Sequence, residues 1–291
     1  MNGRSPSIQI WNRAAGRVET ERVYGNAGLR LLYGTWAGRW AADRILAGDA
    51  LSRLVGVLQS SGASARRVPS FVETFDIPME EFEDKEWTSF NDFFVRRFRP
   101  GAREFCSEAE RMPAFSEARY LAFERVALEI TFPVKGQHLT PQAILGDAAQ
   151  AAAFAGGPLL IARLAPVDYH RFHFPDDGEI LEEYRIAGRL HSVNPFALRA
   201  RSDILATNER HVSILDTANF GRLGMVEVGA MNVGRIVQTH PPGQPFRRGD
   251  EKGVNRVCDK CLNQNICWVH RCSTRSINPV GYGITMQDGP V

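Results

Sequence analysis

The densest group of reactive side chains is Asp168-Tyr169-His170-Arg171-Phe172-His173, entered through Ala165-Pro166-Val167 and left through Phe174-Pro175. Two imidazoles and a carboxylate within six residues suit proton transfer, because histidine is the side chain that changes charge near neutral pH. The same three residues are competent metal ligands. They also fit a solvated strand end with incidental histidines. In a continuing strand Asp168 and His170 share one face and His173 takes the other. A turn beginning near His170 would bring the two imidazoles together instead. Spacing alone leaves these readings open.

A second group lies late in the chain. Cys258, Cys261 and Cys267, with His270 or Cys272, supply four soft ligands in fifteen residues. Zinc uses such sets, and a zinc knuckle would admit nucleic acid as a partner. The spacing matches no specific zinc pattern, so no metal site is assigned there. The abrupt change of composition after Gly253 reads instead as a foreign tail that stays outside the β core. Five cysteines in 291 residues is an odd count in a long chain, which argues against a secreted disulfide scaffold.

The elements that must position these groups come in two styles. Residues 8–60 read as helical, with Leu29, Leu32, Tyr33, Trp36 and Trp40 on one stripe. A short helix is expected over 90–98, capped by Ser89 with Asp92 three residues on. Its face is Phe90, Phe93, Phe94 and Phe98, and Pro100-Gly101 ends it. From about residue 112 the pattern turns to strands at 128–132, 158–164, 211–215, 225–228 and 233–237, with an Ala-rich helix over 139–155. Helices gathered first and strands later predict an α+β chain. Residues 1–70 carry ten Arg and no Lys against four acids, and residues 71–93 carry eight acids against one Lys. A basic, Trp-bearing amphipathic start suits an anionic membrane surface, and a solvated face is the plainer alternative. The whole chain is only +2, which gives no reason to expect nucleic acid. No apolar run reaches eighteen residues, and no signal peptide is visible.

The central string resembles the core motif of the phosphatidylserine decarboxylase family, with Pro175 and Gly178 following in place. Other segments fall in family order. They include Trp11-Asn12-Arg13, Glu21-Arg22-Val23-Tyr24-Gly25, Ser89 to Phe98, Pro100-Gly101-Ala102-Arg103, Ser192-Val193-Asn194-Pro195, Val226 to Gly234, and Gly249-Asp250-Glu251-Lys252-Gly253. The resemblance spans about residues 10–253.

It implies an N-terminal helical, membrane-associating part over 1–105, a β-rich catalytic core over 106–253 that is incomplete at its C-terminus, and an atypical Cys-rich tail over 254–291. It implies a peripheral membrane enzyme that takes phosphatidylserine and releases phosphatidylethanolamine and carbon dioxide. Family chains cleave themselves before a serine, which becomes a pyruvoyl group, and the two subunits stay together. The substrate amine condenses with that ketone, which accepts the electrons released with carbon dioxide. Carried over by motif, His173 is the base for self-cleavage, His170 the acid/base near substrate, and Asp168 orients or charges the pair. Glu117 stands where the family has an aspartate. The serine is expected near position 260, yet residues 254–261 contain none, and Ser273 is the nearest candidate pyruvoyl precursor. A non-catalytic lipid- or zinc-binding relative is the alternative.

Overall fold

A computed structural model describes residues 9–12, 15–21, 35–41, 49–125, 130–131, 138–193, 197–198, 203–230, 235–256, 263–269 and 285–286. The chain opens on an antiparallel hairpin, β1 (Gln9–Asn12) and β2 (Arg17–Thr20). This corrects the helical expectation for the first residues. Gly16 takes a left-handed φ of 62° in the connecting turn, a conformation that suits glycine and that no α-helix accommodates. Helices follow: α1 (Trp36–Ala41), α2 (Asp49–Gln59) and α3 (Val68–Phe75). A shorter helix, α4 (Phe90–Phe94), starts where expected, since Ser89 Oγ accepts the Asp92 N–H at 3.0 Å. It ends four residues early. Phe98 leaves the helix to bridge Phe82, and the two rings stack at 4.7 Å.

The remaining elements are β3 (Arg119–Phe123), β4 (Ile130–Thr131), β5 (His138–Leu139), α5 (Pro141–Leu145), α6 (Ala148–Phe154), β6 (Leu159–Leu164), β7 (Arg171–His173), β8 (Gly178–Ile186), α7 (Ile204–Thr207), β9 (Arg210–Thr217), β10 (Gly221–Val228), β11 (Arg235–Gln238), β12 (Glu251–Arg256), β13 (Asn263–Val269) and β14 (Thr285–Met286). The fold is α+β. A seven-stranded sheet runs β14-β3-β6-β13-β10-β9-β8, and a three-stranded sheet runs β11-β12-β7. The middle of the larger sheet, at β6 and most of β10, is buried on both faces, so β6 reads as a largely apolar run, while β8 at one edge stays mostly exposed. Leu159 and Ile161 join Phe90, Phe93, Phe94 and Phe154 on one side. Leu160 and Leu164 join Phe115, Met225 and Phe246 on the other.

The expectation that the tail stays outside the core is overturned by β13. It lies between β6 and β10 and pairs antiparallel with both, Cys267 standing opposite Leu160 and Met225. Without it, two long strands would present open hydrogen-bonding edges. Cys267 is fully buried, and burial pushes its thiol pKa up to about 12. Cys267 thus packs as an apolar filler between β6 and β10. Cys258, Cys261, His270, Cys272 and Ser273 lie outside the described residues.

Candidate active site

β6 delivers the chain into a tight turn. The Asp168 N–H donates to the Ala165 carbonyl at 3.0 Å, and the Ala165 N–H donates to Asp168 Oδ2 at 2.5 Å. Asp168 therefore holds its own turn, and it is also ion-paired with Arg119. Behind it sits Arg96, 1% exposed, donating to the Val167 and Asp168 carbonyls at 2.6 and 3.2 Å. The rings of Phe82 and Phe93 lie 4.4 and 4.8 Å from its guanidinium. Burial pushes its pKa down to about 10.

The two histidines part company at this point. His170 is fully buried and stacks on Phe94 with ring centroids 3.7 Å apart. Its Nε2 donates to the Ala165 carbonyl at 3.0 Å, while Nδ1 has no hydrogen-bond partner among the described residues. Desolvation, then the nearby Arg96 charge, holds its pKa well below the ordinary histidine value. His173 instead walls a cavity of about 240 Å³ with Phe98, Arg103, Phe105, Cys106, Ser116, Glu117 and Tyr169. Its Nδ1 donates to the Gly249 carbonyl at 2.9 Å. A carbonyl can only accept, so a neutral His173 carries its lone pair on Nε2. Burial again lowers its pKa, which favours that neutral form. The expected grouping of both imidazoles with Asp168 is not found at this cavity, whose described wall holds His173 without His170 or Asp168.

Glu117 does reach the wall. Its Oε2 accepts the Tyr169 N–H at 2.9 Å. Desolvation, then the charge of Asp168, raises its pKa. The structure thus brings His173 and Glu117 to one cavity and sets His170 and Asp168 behind it, with Tyr169 between the two pairs. β12 pairs with β7, Glu251 opposite His173, and the Asn255 N–H donates to the His170 carbonyl at 2.9 Å. The chain leaving β12 therefore departs on the His170 side.

A phosphatidylserine decarboxylase family model matches residues 90–257. The phosphatidylserine decarboxylase proenzyme of Ruminiclostridium cellulolyticum is 39% identical over 248 residues, covering 84% of this chain and 83% of that protein. Those of Fusobacterium nucleatum and Chlamydia felis are 36% and 37% identical, over 84% and 86% of this chain and 83% and 84% of theirs. The chain belongs to the phosphatidylserine decarboxylase family. The family match includes α4, the Asp168–His173 string and β12. Arg96 reads in sequence as a charge favourable to a helix end. It serves instead as the tether of the phosphatidylserine decarboxylase histidine turn, and its place among phenylalanines was the available signal. Nothing in the sequence pointed to Ser116 or Cys106 as cavity residues.

Proposed function

We propose that the cavity beside His173 and Glu117 is the headgroup site of a phosphatidylserine decarboxylase, a carboxy-lyase that converts phosphatidylserine to phosphatidylethanolamine and carbon dioxide. The observation that supports it most is an imidazole whose Nδ1 is held by the Gly249 carbonyl at the wall of a cavity shared with the Glu117 carboxyl, in a chain of this family. A candidate base and a candidate acid in one hollow, with burial lowering the imidazole pKa and raising the carboxyl pKa, suit proton-coupled loss of carbon dioxide. In this reading His173 is the base, Glu117 and Asp168 set the charge around it, and His170 is the acid/base held on the β12 side.

The membrane surface falls to the N-terminal part. Trp36 and Trp40 are 77% and 52% exposed, and Leu54, Val57 and Leu58 of α2 are exposed with them. Ten arginines against four acids over residues 1–70 complement anionic lipid. No described helix is long and apolar enough to cross a membrane.

The family's pyruvoyl group, formed from a chain serine when the proenzyme splits into two subunits, supplies the electron-accepting ketone. The residues here do not fit it at the expected place. β12 ends at Arg256, β13 begins at Asn263, and residues 257–262 are Val-Cys-Asp-Lys-Cys-Leu. Ser273 is the remaining candidate precursor. The missing serine favours a second reading, a non-catalytic relative that binds phosphatidylserine. The test is the purified full chain with phosphatidylserine vesicles, followed by lipid and intact-protein mass spectrometry. Phosphatidylethanolamine, with two fragments and a start blocked at Ser273, supports the decarboxylase. Vesicle binding by a full-length chain without turnover supports the second reading. Neither binding nor turnover overturns both.

A further inference from the structure

Arg119 on β3 and Arg163 on β6 stand directly opposite each other in the antiparallel register. Like charges so placed repel, and both side chains are largely buried, 20% and 11% exposed. The neutralising group comes from the far end of the chain. Glu21, the residue after β2, has its side chain 3% exposed. Its Oε1 lies 3.2 Å from Arg119 Nε, and its Oε2 accepts from Arg163 Nη2 at 2.6 Å. Arg119 then pairs with Asp168 through its Nη1. The result is an unbroken row, Arg163–Glu21–Arg119–Asp168, of two positive and two negative charges. It ends on the carboxylate that shapes the histidine turn. The other charges around it among the described residues are Glu117, Arg96 and Arg103, the last on the cavity wall beside Glu117.

We propose that Glu21 is a positioning residue for the site: by neutralising the Arg119–Arg163 pair it fixes the Asp168 turn and sets the field at Glu117. A segment 142 residues upstream of Arg163 thereby becomes part of the active-site framework. That this framework serves decarboxylation rests on the function proposed above, but the charge coupling does not.

The test therefore reads the coupling directly. The Tyr169 amide donates to Glu117, so its ¹⁵N–¹H chemical shift in the full-length chain reports the ionisation of that carboxyl. In Glu21→Gln, one negative charge is lost, and the titration midpoint should fall by about one pH unit. Arg163→Gln should move it upward. The double variant Glu21→Gln/Arg163→Gln restores the net charge and should return it towards the starting value. Glu21→Asp should shift it less than Glu21→Gln. Ile10→Ala, a cavity on the same hairpin without a charge change, should lower Tm and leave the midpoint in place. A midpoint indifferent to Glu21→Gln, or moved equally by Ile10→Ala, overturns the proposal. If Glu21→Gln fails to fold, an unmoved midpoint in Arg163→Gln overturns it instead. None of these outcomes depends on turnover, so loss of the decarboxylase reading is recognised separately.

Discussion

His170 and His173 come from one short string, and the two sides of β7 treat them differently. On the packed side His170 lies flat on Phe94, and its second nitrogen has no hydrogen-bond partner among the described residues. On the hollow side His173 stacks at 5.9 Å on Tyr169 and borders a cavity. Packing fixes one imidazole against a core ring, and open space beside the other leaves it at the cavity wall, so the two proposed proton-transfer roles rest on different surroundings. The residue type is the same, and the neighbours decide the role.

The sharpest way to break this comparison is turnover. His173→Gln should lower phosphatidylethanolamine formation by about 100-fold or more, the usual range for a lost general base, with a stability change under about 1 kcal/mol. Wild-type turnover in this variant would remove His173 from the chemistry. Stability carries the converse prediction. His170→Ala empties a packed site and should cost about 2–4 kcal/mol in urea denaturation. His173→Ala, which already faces space, should cost distinctly less. Equal losses would erase the distinction between the two sides.

The cysteines repeat the contrast on a smaller scale. Cys267→Ser places a hydroxyl in the apolar layer of β13 and should cost about 1–3 kcal/mol. Cys106→Ser at the cavity wall should change stability by less than about 0.5 kcal/mol. A matching cost at both positions would argue against the assigned core.

The smallest effects are slopes with pH. Both histidines have lowered pKa values in the folded chain. On acidification below 6.5 the unfolded chain therefore takes up protons that the native chain refuses. Their contribution is complete above that value and is lost as pH falls towards the folded pKa. Glu117 has the opposite sign. With its folded pKa raised above 4.5, its contribution is complete below that value and declines as pH rises through the folded pKa. Denaturation midpoints measured across pH should show a weaker acid slope in His170→Gln and a weaker rise-dependent loss in Glu117→Gln. Unchanged slopes would contradict the burial of these groups.

Much of the frame was legible in the residues. The apolar run at Leu159–Leu164 and the alternation around Val212 and Ile214 fixed β6 and β9, and Ser89 marked the start of α4. The reactive string was also visible as a cluster. Its division was not, because that depends on Phe94, Gly249 and Arg96, all distant in sequence. The hairpin β1–β2 was hidden by a helical stripe further along. β13 was hidden by the cysteines in and around it, which drew attention as ligands when Cys267, the one within the strand, is an apolar filler. Strand identity there comes from the edges of β6 and β10, which a local pattern cannot reveal.

The position of β13 has a consequence for biosynthesis. β3 and β6 pair early in the chain, and β8, β9 and β10 form a meander of their own. Among the described strands these two half-sheets are joined through β13, which follows all of them in the chain. During synthesis each half must wait with an open edge, a state prone to intermolecular pairing. Closure then requires β13 to pair with β6 about a hundred positions earlier in the chain, a slow step in folding. A nascent chain stopped between β12 and β13 would carry every reactive residue described at the cavity and still lack the strand that holds the two halves together.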